Sequence, residues 1–315
     1  MEKVLLFCDP GIDDSVAIMY ALLHPDIDLV GIVTGYGNVD QEQATNNALY
    51  LLSLAGREDI PIYSGARFPL SGEVAVFYPE IHGEDGLGPI EPPDQIKGEL
   101  LNFTDLFDVI ERYDGELTIV DVGRLTSLAM AFILGGEVME KVKQIVIMGG
   151  AFLASGNVSS LSEANFYGDP IAANLVMTRG ERVTLVPLNV TDYALVTEEM
   201  IEEVTEQDFN TFTELIEPIF TYYADAYSRL VPGLEAAAPF HDVVALMVLV
   251  EPSMFDFIEK PVTVSIDPAT RGQSIADFRP RAQWEGDVPV VRIAMEFTYD
   301  RFADSIIKTM TRGSE

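Results

Sequence analysis

Short apolar runs recur along this chain, each closed by glycine, proline or a polar cluster and most followed by a stretch of helical composition. Val4–Cys8, Ile27–Val33, Leu117–Val122, Gln144–Met148 and Val183–Leu188 are such runs. Runs with few polar residues on either face are what strands buried on both sides of a parallel sheet require. Ser15–Leu23, Gln41–Ala55, Leu125–Leu134 and Pro170–Thr178 read as helices, and a short strand is expected near Ile62-Tyr63. The alternation predicts an α/β fold: an open, mostly parallel (Rossmann-like) sheet with helices on both faces. Further along, Thr197–Leu230 reads as helices rich in Glu, Phe and Tyr, and Val243–Val250 as an apolar helix. Val288–Ala294 reads as a strand in which Pro289 suits a first or edge position, and a helix from Tyr299 closes the chain. Residues 1–315 are expected to form a single domain, long enough for a substantial core.

The first run leads straight into Asp9-Pro10-Gly11-Ile12-Asp13-Asp14. Asp9 falls at the carboxyl end of a buried strand, where open α/β sheets place their ligand crevice. Pro10-Gly11 turns the chain, and Asp13 and Asp14 open the next helix. Capping accounts for one or two of these carboxylates. It does not account for Asp9 arriving beside them on a tight turn. Crowded carboxylates hold either a proton or a cation, and an all-oxygen cluster suits a hard cation such as Ca²⁺ or Mg²⁺. Local chemistry leaves both readings open, metal binding on one side and capping with surface charge on the other.

Other polar positions also fall at strand ends. Asn38 follows the second strand, as a turn residue or a ligand group. Phe68–Gly98, rich in Gly, Pro and Glu, reads as a mobile lid or binding segment and contains His82. Ala154–Asp169 is a second polar concentration, with Asn157, Glu163 and Asn165. Amides and a carboxylate are what buried sugar hydroxyls need, since each left unpaired costs about 1–3 kcal/mol. The aromatic stretch Tyr222–Tyr227 reads as core, His241-Asp242 starts the apolar helix, and the tail around Arg271-Gly272-Gln273 reads as structural packing.

The hexapeptide Asp9–Asp14 resembles the amino-terminal metal motif of the inosine-uridine nucleoside hydrolase family, Ca²⁺-dependent enzymes that cleave the N-glycosidic bond of ribonucleosides. Further pieces follow in the family's order: Gly37-Asn38-Val39, Ile81-His82-Gly83, Val122-Gly123-Arg124-Leu125-Thr126, Met148-Gly149-Gly150, Asn157, Glu163-Ala164-Asn165, Asp169-Pro170 and His241-Asp242. The resemblance covers nearly the whole chain. It implies Ca²⁺ held by Asp9, Asp14, the Val122 carbonyl and Asp242, with Asp9 as general base and Asp13 as a ribose ligand. It further implies that Asn38, Asn157, Glu163 and Asn165 contact ribose, that His82 lies at the mouth of the site, that His241 protonates the departing base, and that an aromatic of the Tyr222–Tyr227 region stacks on that base. The family usually carries another Asp two residues before Asp9, where this chain has Phe7.

Composition narrows the alternatives. With 51 acidic against 19 basic residues and a formal net charge of −32, the chain repels phosphate backbones, which disfavours nucleic acid as a partner. Its one cysteine, Cys8, allows no internal disulfide and no multi-thiolate metal site, and fits a reducing cytoplasm. Val4–Cys8 is too short for a signal-peptide core, and Val243–Val250 falls well short of the roughly 20 residues of a membrane span. The expectation is a soluble cytoplasmic enzyme acting on a small ribonucleoside, with no membrane partner. Homo-oligomerisation and a place in nucleoside salvage go with the resemblance. Two rival functions use the same residues: Mg²⁺-dependent phosphoryl transfer, which also needs basic residues where the motifs offer only Arg124, and nucleoside binding without turnover.

Overall fold

In the computed structural model, which describes residues 1–93, 96–280 and 288–313, the expected alternation forms. The first half comprises β1 (Glu2–Cys8), α1 (Ile12–Leu23), β2 (Ile27–Thr34), α2 (Gln41–Leu54), β3 (Ile62–Ser64), α3 (Pro79–His82), β4 (Leu100–Leu101), α4 (Leu106–Arg112), β5 (Leu117–Asp121), α5 (Thr126–Gly135) and β6 (Gln144–Met148). Then follow α6 (Ala164–Gly168), α7 (Pro170–Arg179), β7 (Val183–Val186), α8 (Leu188–Thr191), β8 (Leu195–Thr197), α9 (Glu198–Val204), α10 (Thr213–Leu230), β9 (Ala237–Pro239) and α11 (His241–Val250). The tail adds β10 (Phe255–Pro261), β11 (Thr263–Val264), β12 (Ser274–Ile275), β13 (Val290–Phe297) and α12 (Tyr299–Met310).

Nine strands form the central sheet, in the order β10-β13-β7-β6-β5-β1-β2-β3-β4. Neighbours from β13 to β4 are parallel, and β10 runs antiparallel along β13. Because successive side chains of a strand point to opposite faces, β1 serves two apolar layers. Val4, Leu6 and Cys8 join Ile18, Val244 and Phe302 on one side, while Leu5 and Phe7 join Leu128 and Val176 on the other. Chain order reverses between β1 and its neighbour β5. Such a switch point opens a crevice outside the carboxyl ends of its strands, and the residues that follow β1 and β5 there are Asp9 and Val122.

Several details differ from the sequence reading. Helix α1 starts at Ile12 with Gly11 as N-cap, so Asp13 and Asp14 lie inside its first turn and neither is the cap residue. Strand β13 is not an edge: it lies between β7 and β10, and Pro289 precedes it and so takes no ladder position. The edge is β10, a strand the apolar pattern did not announce because only part of it is buried. The 68–98 segment splits in two, with Val74 and Val76 exposed while His82 and Leu87 are buried. Ile81, Ile90 and Ile96 pack on the core, and the Tyr222 hydroxyl donates to the Pro79 carbonyl. Among the described residues the later half is therefore anchored, which a uniform mobile lid would not be, and residues 94 and 95 lie outside them. The tail also reaches the site loops: Ser274 bonds the main chain of Ala151, and Arg271 pairs with Glu73 and donates to the Tyr167 carbonyl. Among the described residues no helix is long and apolar enough to cross a membrane.

Asn47, buried in α2, holds the turn after β1 against the anchored loop. Its Nδ2 donates to the carbonyls of Pro10 at 2.8 Å and Asp85 at 2.7 Å, and its Oδ1 accepts from Gln43 Nε2 at 3.0 Å. Removing it strands two carbonyls, and a buried group left unpaired costs about 1–3 kcal/mol. Asn47→Ala is expected to lower the unfolding free energy by about that amount in urea titrations, and an unchanged midpoint would show that the two carbonyls find other partners.

Candidate active site

Asp9 enters the crevice where two backbone N–H groups meet it. Its Oδ1 accepts from Asn38 N at 3.2 Å and its Oδ2 from Arg124 N at 3.0 Å. A Cβ at Gly37 would collide with this carboxylate, so glycine is required for the loop after β2 to close on it. Asp14 faces back from α1: its Oδ1 accepts from Asp9 N at 3.0 Å, and its Oδ2 from Gly11 N at 3.2 Å and Asn38 Nδ2 at 2.8 Å. Part of the capping reading therefore holds, since Asp14 caps α1 from inside its first turn. Asn38 is more than a turn residue, for it binds both Asp9 and Asp14.

Asp13 and Asp242 complete the cluster. Oxygens of Asp13, Asp14 and Asp242 all lie within 4.8 Å of one another, every one of these residues being buried. Asp9, which the resemblance groups with the cation, stands beside this trio with both oxygens turned to backbone donors. Asp13 Oδ1 has no hydrogen-bond partner among the described residues, and His82 Nδ1 lies 3.9 Å from it. Burial, with the Asp14 charge added, pushes the Asp13 carboxyl up to about 8. Burial likewise raises Asp9, Asp14 and Asp242. No Lys or Arg side chain approaches these four within 4 Å among the described residues. Buried hard-oxygen donors with no cationic partner and one orphan oxygen are a fit for a divalent cation. Without one, the carboxylates must take up protons.

On the second side lie the residues of the polar loop. Glu163 caps α6, accepting from the main-chain N–H of Gly150, Asn165 and Phe166. Asn165 Nδ2 donates to the carbonyls of Val122 at 2.8 Å and Met148 at 3.2 Å, so one amide joins the ends of β5 and β6. Asn157 accepts from Ala164 N at 3.0 Å. All three line a cavity of about 520 Å³, which Asp13, Asn38, Val122 and Asp242 also line.

The far wall is aromatic. Tyr223, Tyr227 and His241 line it together with His82, Ile81 and Leu230. His82 sits not on a surface loop but at the end of α3 against the start of α1, where Ile12 N donates to its Nδ1 at 3.1 Å. A backbone N–H can only donate, so Nδ1 is bare and the ring proton is on Nε2. Burial pulls His82 down to about 3, so the ring is neutral. His241 is fixed at both ends, by Thr191 Oγ1 at 2.8 Å and the Tyr227 hydroxyl at 3.0 Å, and burial lowers it to about 4. Asp13, Asn38, His82, Val122, Asn157, Glu163, Asn165, His241 and Asp242 line the cavity, and Asp9 and Asp14 stand beside it.

Sequence reading missed two contributors, Thr191 and Asp121, and left open which aromatics of the Tyr222–Tyr227 stretch face the cavity. Tyr223 and Tyr227 are core and cavity wall at once, which four-residue spacing on one helix face cannot distinguish. Thr191 carried no signal. Asp121, buried at the end of β5, is in register with Phe7 on β1; its Oδ1 accepts from Gly123 N at 3.1 Å and its Oδ2 has no partner among the described residues. A carboxylate thus stands level with Phe7, one strand over.

Comparison with known proteins shows the family and the fold. The family model described as inosine-uridine preferring nucleoside hydrolase matches residues 4–304. Uridine nucleosidase 1 of Arabidopsis thaliana is 35% identical over 92% of this chain and 86% of its own length. The inosine-uridine preferring nucleoside hydrolase of Crithidia fasciculata is 32% identical over 99% of this chain and 98% of its own. A solved plant nucleoside hydrolase superposes with a TM-score of 0.92 at 34% identity, covering 98% of this chain and 99% of that one. A purine-preferring ribonucleoside hydrolase from Gardnerella vaginalis gives 0.90 at 29% identity, covering 98% of each. With a family match along almost its full length, a shared fold and a buried carboxylate cluster at the switch point of the sheet, the chain belongs to the inosine-uridine preferring nucleoside hydrolase family.

Proposed function

We propose that this protein hydrolyses the N-glycosidic bond of ribonucleosides to ribose and free base with a Ca²⁺ ion resident in the carboxylate cluster. The observation that carries the reading is the meeting, in one cavity, of buried unpaired carboxylates, a wall of amides with Glu163, and an aromatic wall holding two neutral histidines. The first suits a hard cation and the sugar diol, the second the remaining sugar hydroxyls, the third a planar base. Asp9, Asp14, the Val122 carbonyl and Asp242 would hold the ion, with Asp13 turned to the ribose. When bound, it lowers the pKa of an attacking water and fixes its direction.

The chain's own groups supply the rest. Asp9 takes the water's proton, and burial, by raising its proton affinity, suits it to that role. The sugar passes through an oxocarbenium-like state as the C–N bond breaks and the water oxygen bonds to the same carbon. Asn38, Asn157, Glu163 and Asn165 hold the ribose, while His82 offers its Nε2–H at the mouth. His241 and Tyr227, joined by a hydrogen bond, act as one acid: as negative charge develops on the base, the Tyr227 hydroxyl proton passes to its nitrogen, the His241 ring supports the oxygen left behind, and solvent restores the proton after the base departs. A cytoplasmic, homo-oligomeric enzyme of nucleoside salvage goes with this reading and rests on the resemblance. Phosphoryl transfer is disfavoured, because Arg124 gives its hydrogen bond to Asn165.

Protein purified without added metal is expected to carry about one Ca²⁺ per chain by elemental analysis. Chelation should abolish turnover and lower the melting temperature, since a ligand at about 100 times its Kd stabilises the folded state by about 2.7 kcal/mol. Full activity in metal-free protein would overturn the assignment. Asp9→Asn should lose activity by at least about 10²-fold, read by release of reducing sugar from uridine and inosine, because the amide cannot accept the water's proton. Replacement of His241 by Ala, or of Tyr227 by Phe, should slow natural nucleosides by about 10²–10⁴-fold yet hardly affect nitrophenyl riboside, whose leaving group needs no proton. Asp242→Ala should slow both substrates alike. Equal losses on the two substrates in the His241 variant would remove it as the acid.

A further inference from the structure

Arg124 is the one Lys or Arg that lines the cavity among the described residues, and it is 6% exposed. Asp9 and Glu163 both lie near enough for their charges to act on it, yet its guanidinium makes no ion pair within 4 Å. Instead its Nη1 donates to the neutral Oδ1 of Asn165. The side chain runs over Gly168, where a Cβ would strike its Cδ, and the guanidinium lies 5.6 Å from the centre of the Tyr78 ring. A buried cation costs free energy that a carboxylate partner usually offsets. One that spends its hydrogen bond on an amide is placed for what that amide does.

Asn165 is a bracket. Its Nδ2 serves the carbonyls of Val122 and Met148, at the ends of β5 and β6, while its backbone lies in the short helix that Glu163 caps. A guanidinium can only donate and a carbonyl can only accept, so Arg124 on one side and the two carbonyls on the other admit a single orientation of this amide. The bond from Arg124 is charge-assisted, which makes it stronger than a neutral pair and strengthens the Nδ2–H donation at the other end of the same amide.

We propose that Arg124 is a positioning residue for the hydrolytic reaction, acting through Asn165 to hold the Val122 carbonyl and the sugar-facing loop in register with each other. This rests on the proposed site, in which Val122 and Asn165 face ion and ribose. A small misplacement of such groups costs about 10²-fold in rate.

The test is a double-mutant cycle in kcat and KM with uridine and inosine, using Arg124→Met, Asn165→Ala and the pair. Arg124→Met is expected to lower kcat by about 10–10²-fold, and the pair to be no slower than Asn165→Ala alone. Arg124→Lys and Arg124→Gln each keep a donor for Oδ1 and should recover most of the lost kcat; a role in folding alone would not track the donor in this way. Additive losses in the pair would overturn the proposal, showing that Arg124 acts on substrate or Asp9 directly, as would equal losses in the Lys, Gln and Met variants. A full-speed Asn165→Ala enzyme would overturn the reading of the site and this proposal together, whereas a slow Asn165→Ala with an additive pair overturns this proposal alone.

Discussion

The structure depends on placing several carboxylates in a space from which water is largely excluded. Asp9, Asp13, Asp14, Asp121 and Asp242 are each nearly inaccessible, and isolated charges in such surroundings neutralise or find a cation. The fold answers with backbone donors. Asn38 N and Arg124 N meet Asp9, Asp9 N and Gly11 N meet Asp14, and Gly123 N meets Asp121. Loops at the ends of β1, β2 and β5 are therefore held in place by the acids they surround. Asp13 and Asp242 are left with fewer partners, and that shortage points to a bound ion.

The switch point makes this arrangement possible. Parallel strands end on the same side of a sheet, and the reversal between β1 and β5 leaves room where their following loops part. α11 then brings Asp242 and His241 from far along the chain to the same place; it packs against α1, sharing an apolar layer through residues such as Ile18 and Val244. Tyr223 and Tyr227 come from α10, whose other contacts include α3 and β9. Three sequence-distant segments thus form the aromatic wall. Apolar packing remote from the cavity decides where its polar groups stand.

Phe7 shows how local a motif can be while its consequences are not. Phe7 is buried in an apolar layer with Leu5 and Leu125 and adds no carboxylate to that face of β1. Asp121 is in register with Phe7 from the neighbouring strand and has an unpartnered oxygen. Hydrogen-bonding register, which couples positions more than a hundred residues apart, is what makes these two positions neighbours.

What the sequence determined by itself was the part encoded within a few residues: the buried strands, the helices between them, the parallel α/β class, and the Asp9–Asp14 turn with its crowded carboxylates. Apolar runs and tight turns are set by local sterics and by water, so they are legible without the fold. The tertiary structure alone decided that His82 is a buried acceptor rather than a loop residue, that half the presumed lid is anchored, and that Arg124 grips an amide instead of an acid. It also placed β10 at the sheet edge and β13 inside it. Each of these depends on contacts between distant segments, whose pairing is settled by burial and by hydrogen-bond accounting over the whole chain, and a linear pattern carries no record of which surfaces will meet.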